Sequence, residues 1–177
     1  MKVVLHICCG ICAAGTAQTL QSEGHDVIGF FCNSNIHPRQ EYIKRLEVAR
    51  IVSDKLGFSL HEAPYTPDEW LEATAALKNE PEGGKRCELC FRIRLQETYA
   101  YLQKCGADAF TTTLTISPHK PATIVNAIGE EIAGDLFLQR DFKKKEGFKK
   151  AMQQAREWEL YRQDYCGCLY SIRSDRQ

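Results

Sequence analysis

The chain has 177 residues, 44% of them hydrophobic and 26% charged, which fits one domain over 1–177 able to bury a core without disulfide staples. With 23 basic and 23 acidic residues the net charge is zero, so a nucleic-acid partner has to be met by a local surface. No apolar run reaches membrane-spanning length, and MKVVLHICCG has too short a run for a signal peptide, so no membrane partner and a cytoplasmic location are expected.

In chain order, VVLHI (3–7) predicts a buried strand and CAAGTAQTLQSEG (12–24) a helix stopped at Gly24. HDVIGFFCN (25–33) predicts a second strand. RQEYIKRLEVARIVSDKLG (39–57) is amphipathic, with Tyr42, Leu46, Ala49 and Val52 on one face and Gly57 just past its end. FSLHEAPY (58–65) resembles a short strand, and residues 66–77 a helix with Thr66 as N-cap and Pro67 in its first position. A polar loop leads to a helix over 87–106. A strand running into a loop over 107–117, a helix over 118–134, a last strand over 135–142 and a last helix over 143–160 follow. Five strand–helix alternations predict a three-layer α/β fold with a parallel sheet, closed by a C-terminal helical extension. In such sheets ligands bind beyond the carboxyl ends of the strands, where the first cysteines, the 33–39 loop, the 113–120 loop and the 141–145 segment converge.

Nine cysteines in a reducing compartment point to metal or redox chemistry more than to a disulfide framework. Cys32 and Cys105 are isolated and read as small buried hydrophobes. The other seven form Cys8-Cys9-x-x-Cys12, Cys87-x-x-Cys90 and Cys166-x-Cys168. Cys87 and Cys90 open a helix, where free N–H groups and the dipole favour thiolates, and Lys85 and Arg86 precede them. Joined to the first cluster they supply four thiolates, the usual complement of zinc or of a [4Fe–4S] cluster. Two CxxC knuckles suit zinc but leave Cys8 without a role; adjacent cysteines suit a polynuclear cluster. Cys166 and Cys168 join only through a small strained ring, which Gly167 accommodates, and strained disulfides are the labile ones. Further metal ligands or a tail without a role are the competing readings of that pair.

Around the same crevice lie Asn35 and His37, and a hydroxyl-rich turn that holds Thr113, Ser117, His119 and Lys120 at a helix start suited to anions. Lys143, Lys144 and Lys145 make the strongest basic patch, readable as a solvated face or as a nucleic-acid contact. Arg162 precedes Asp164 and Tyr165, two potential proton donors beside the CGC pair. No phosphate-binding or dinucleotide loop motif occurs.

The blocks LHICCGIC, FCNSNIHPRQEYIKRLE, EPEGGKRCELCFRIRL, TTTLTISPHK, DFKKKEGF and LYRQDYCGC resemble, in that order, the QueH-type epoxyqueuosine reductases, almost end to end. The resemblance implies a HUP-type domain related to PP-loop enzymes, with cysteines in place of the Ser-Gly-Gly phosphate loop. It implies reduction of epoxyqueuosine to queuosine at the wobble position of GUN-anticodon tRNAs. It also implies a [4Fe–4S] cluster on Cys8, Cys9, Cys87 and Cys90, an additional iron ion that Cys12 helps to hold, and a redox-active pair at Cys166 and Cys168. Anticodon-loop phosphates would then meet Lys143, Lys144, Lys145 and Arg162, with an electron donor of unidentified nature. Two rival readings stand beside it: an iron–sulfur or thiol electron-transfer protein without an RNA substrate, and a zinc- or nucleotide-using tRNA-thiolation relative, which the missing phosphate loop disfavours.

Overall fold

The computed structural model of the chain describes residues 1–172, with the side chain of Lys145 outside the described set. Four strands, β1 (Lys2–His6), β2 (Asp26–Phe31), β3 (Ser59–Glu62) and β4 (Ala109–Thr112), form one parallel sheet in the order β3-β2-β1-β4. Among the described residues six α-helices accompany them: α1 (Gly10–Ser22), α2 (Arg39–Leu56), α3 (Pro67–Thr74), α4 (Lys85–Cys105), α5 (Ala122–Ala133) and α6 (Gly147–Glu157).

Strand side chains alternate between faces with period two, and β1 shows what that does here. Val3 and Leu5 join the core under α1, α2 and α6, while Val4 joins Phe30, Phe110 and the apolar faces of α4 and α5. Both faces of the sheet are covered, which gives the expected three layers and explains why β1 reads as an unbroken apolar run. Gly10 lets α1 press against α2: a Cβ there would lie 2.6 Å from the Val48 carbonyl carbon.

One element differs from expectation. Residues 135–142 do not form a fifth strand. Phe137 makes a single parallel bridge to Phe110, and Leu138 N donates to Phe110 O at 2.8 Å. The next acceptor, Leu138 O, is taken by the Thr111 side-chain hydroxyl at 2.9 Å, so the ladder stops after one step. Phe137 instead plugs the space between β4 and α5, edge-on to Phe110 at 5.1 Å and in the place that Gly129 leaves open.

The strand order fixes where a site can form. The chain builds outward from β1 through β2 to β3, then returns to lay β4 on the other side of β1. The reversal leaves a crevice at the carboxyl end of β1, where ligands of such sheets bind. The residues that follow β1 there are Ile7, Cys8 and Cys9.

Candidate active site

Cys9 is the N-cap of α1, and its sulfur accepts the Cys12 backbone N–H at 3.4 Å. That turn brings the sulfurs of Cys8, Cys9 and Cys12 within 4.8 Å of one another. Thr113, at the end of β4, clasps Cys8 twice. Its hydroxyl accepts the Cys8 backbone N–H at 2.9 Å and donates to the Cys8 sulfur at 3.1 Å.

The three thiols share one charge. Hydrogen bonds from Cys12 and then Cys9 hold the Cys8 thiol well below its ordinary range against the cost of burial, with help from Lys120 and Thr113. A hydrogen bond from Cys12 favours the Cys9 thiolate too, but donation to Cys8, burial and the Cys8 charge outweigh it, and Cys9 is pushed up to about 12. Cys12, donor to both neighbours and buried, rises well above the ordinary range. The arrangement is one thiolate cradled by two thiols, a ready seat for a soft cation.

Cys87 and Cys90 occupy the first two turns of α4. Burial raises both thiols, Cys90 to about 11; the Gly83 N–H, 3.2 Å from the Cys87 sulfur, offsets part of the shift at Cys87. The pair lies outside the tight trio. Cys87 and Cys8 nevertheless border the same apolar cluster, and Cys90 packs with Cys168 and Trp70.

Cys8 and Cys12 open onto a cavity of about 530 Å³, within the size range of small-molecule sites. Its walls carry Asn35, Ser117, His119, Lys120, Arg162, Asp164, Tyr165 and Cys166 from the sequence expectation. Cys166 and Cys168 are both free thiols in this structure, the first half-buried and the second buried. The segment that carries them is tied to α2. Arg45, buried with Glu41 and bonded to it at 2.7 Å, donates to the carbonyls of Cys166 at 2.8 Å and Tyr165 at 3.0 Å. Gly167 takes φ +125 and passes so near Arg45 that a Cβ would lie 2.9 Å from Nη1. His37 N donates to Gly167 O at 2.7 Å, which places His37 behind the segment.

Several expected roles look different once partners are visible. The Tyr165 hydroxyl donates to the His37 carbonyl and its phenol is pushed up to about 12, chiefly by burial, so its proton is committed. The Lys143 ammonium donates to the carbonyls of Thr115 at 3.0 Å and Lys120 at 3.3 Å and pairs with Asp141 at 3.1 Å. It pins the 115–120 loop and is not a free phosphate contact. Lys144 and Arg162 are exposed; the side chain of Lys145 lies outside the described residues. Cys32 donates to Glu97 at 2.6 Å and Cys105 to Leu102 O at 3.5 Å.

Sequence reasoning missed Arg45 and Arg94, both 3% exposed and both on the cavity wall. The available signal was position. Each arginine lies on or beside the apolar stripe of its helix, where a charge has to have a partner or a task.

A model of the family described as epoxyqueuosine reductase QueH matches residues 3–174. The chain belongs to the epoxyqueuosine reductase QueH family. It is 37% identical to the epoxyqueuosine reductase QueH of Streptococcus pyogenes serotype M1 over 97% of this chain and 71% of that one. To its Thermotoga maritima counterpart it is 33% identical, over 99% of this chain and 92% of that one. Among solved structures it resembles the U34-tRNA thiolase NcsA from Methanococcus maripaludis with its [4Fe–4S] cluster. That match has a TM-score of 0.56 and 16% identity, covering 98% of this chain and 62% of the thiolase, a likeness of fold. QueH-family membership and this fold agree with the resemblance read from the sequence blocks. Among the described residues no helix is long and apolar enough to cross a membrane.

Proposed function

We propose that this QueH-family chain, working as one domain over 1–177, reduces the epoxide of epoxyqueuosine to the cyclopentene of queuosine in GUN-anticodon tRNA. The observation that carries the reading is the convergence of two thiol groups on one cavity: the Cys8-Cys9-Cys12 trio after β1 and Cys166 from the distant C-terminal segment. The reaction consumes two electrons and two protons and releases the epoxide oxygen as water.

The donor set fits a [4Fe–4S] cluster. Three sulfurs are already gathered, and Cys87 and Cys90 supply further thiolates from a helix start. In this reading Cys8, Cys9, Cys87 and Cys90 hold the cluster, and Cys12, facing the cavity, helps to hold an additional iron ion. Bound there, these groups supply single electrons and Lewis acidity.

The remaining roles fall to side chains. Oxidation of Cys166 and Cys168 from two thiols to a disulfide releases two electrons and two protons, and an external low-potential electron donor restores the thiols. Asp164, exposed at the cavity mouth, delivers a proton to the departing oxygen, while Tyr165 holds the segment in place through its bond to His37. Asn35, Ser117, His119 and Lys120 line the space for the modified base. Arg162 and Lys144 at the surface meet anticodon-loop phosphates, which makes binding salt-dependent.

The test is anaerobic purification with an iron and sulfide assay, joined to titration with a GUN tRNA at two salt concentrations. Iron, acid-labile sulfide and salt-sensitive tRNA binding are expected. Zinc alone would sink the cluster, and tRNA binding that is absent or indifferent to salt would favour an electron-transfer protein without an RNA substrate.

A further inference from the structure

Among the described residues, Arg94 is a buried charge without an evident partner. Its side chain rises from α4 one turn after Cys90 and is 3% exposed. Nε donates to the Cys90 carbonyl at 3.2 Å, and the guanidinium lies 5.8 Å from the Phe91 ring centre. Nη2 is buried with no hydrogen-bond partner, and among the described residues no ion pair holds the group. The carboxylate three residues further along, Glu97, is engaged by the Cys32 thiol. A buried cation left in this way costs several kcal/mol unless something anionic completes it.

What surrounds Arg94 is sulfur. It shares the cavity wall with Cys8, Cys12 and Cys166 and is bonded to the backbone of Cys90. Other nearby groups do not answer it. His6 stays neutral, its ring pushed down to about 4 by burial first and Arg94 second, and Lys120 adds a second positive charge to the same wall.

We propose that Arg94 is the built-in countercharge of the cysteine centre, a positioning residue whose free Nη2 donates to its sulfur and stabilises the electron-rich form. The inference rests on the cluster reading above. Four thiolates around a [4Fe–4S] core leave a net negative assembly, which becomes more negative on taking up an electron. A fixed positive charge in a dry site favours that step and raises the reduction potential. Arginine suits the task because it stays charged whatever its surroundings.

The experiment compares the native chain with Arg94→Met and Arg94→Lys after anaerobic reconstitution with iron and sulfide. The readouts are iron and sulfide content, midpoint potential by dithionite titration followed by EPR, and unfolding of the metal-free proteins. In Arg94→Met we expect the reduced form to be disfavoured at least tenfold, a negative shift of about 59 mV or more for one electron. Arg94→Lys recovers part of it. The metal-free Arg94→Met chain is expected to be as stable as native or more so, because an unpaired buried charge has gone. If Arg94→Met loads a cluster at the native potential, the countercharge role is wrong while the cluster reading stands. If the native chain takes up no cluster, the reading itself fails. If Arg94→Met loses stability without metal and Arg94→Lys restores it, Arg94 is a framework residue and the proposal is overturned.

Discussion

Removing Arg45 has consequences that can be worked out bond by bond. Its guanidinium makes three short contacts, to Glu41 at 2.7 Å and to the carbonyls of Cys166 at 2.8 Å and Tyr165 at 3.0 Å. The ion pair is buried on both sides, with side chains 3% and 7% exposed, so Arg45→Met leaves Glu41 charged and dry with only the Tyr161 hydroxyl at 2.7 Å. Breaking a buried pair from one side costs about 3–5 kcal/mol. For a chain of this size that corresponds to a fall in Tm of about 6–20 °C. Replacing both partners, Glu41→Met with Arg45→Met, returns most of the stability because no lone charge remains. It does not return the two bonds that hold the CGC segment, so Cys166 reacts with an alkylating agent faster than native in the single and the double variant alike. Urea unfolding and timed alkylation read by mass spectrometry separate the two effects. An Arg45→Met chain within about 0.5 kcal/mol of native stability, as an ordinary surface substitution would be, with Cys166 labelled at the native rate, would refute the reasoning.

Three further outcomes follow from the same structure. Gly10→Ala is expected to destabilise by about 1–3 kcal/mol despite the helix preference of alanine, since the new methyl meets the α2 backbone at Val48; urea midpoints check it. His6 stays neutral in the fold down to about 4, while in the unfolded chain it takes a proton near its ordinary 6.5. The unfolded state therefore binds more protons between those values, and stability of the metal-free chain falls by about 3 kcal/mol on acidification through that window. Urea unfolding at pH 7 and pH 4.5 measures the fall, and His6→Gln removes it. Arg162→Gln is expected to weaken tRNA binding at every anticodon sequence and to lower the salt slope by about one, read by titration at several salt concentrations.

The architecture was legible because apolar runs and amphipathic stripes carry it. The elements from Lys2–His6 to Gly147–Glu157 lie within a few residues of expectation, apart from the strand expected at 135–142. That segment looked like a strand because DLFLQRDF carries a short apolar run, Leu136 to Leu138, between two helices, but such a run does not say whether a neighbour's hydrogen bonds are available. Here Thr111 spends its hydroxyl on Leu138 and ends the ladder. The cysteine groups announced themselves by clustering, and ten of the expected residues line one cavity. Partner-dependent roles were not readable. Nothing local says that the Lys143 ammonium is used on the Thr115 and Lys120 carbonyls, or that the Tyr165 proton is given to His37. Arg45 and Arg94 were hidden for a related reason: helical charges read as solvent-facing until the packing of the faces is known.

The most direct test is a single-turnover reaction. The reconstituted chain is mixed anaerobically with tRNA carrying epoxyqueuosine and excess dithionite, and the digested nucleosides are weighed by mass spectrometry. Loss of one oxygen atom from the modified nucleoside, dependent on the chain and abolished when Cys8 and Cys9 are both replaced by alanine, is the predicted result. A nucleoside that keeps its epoxide oxygen in the presence of a chain shown to hold iron and sulfide would contradict the account.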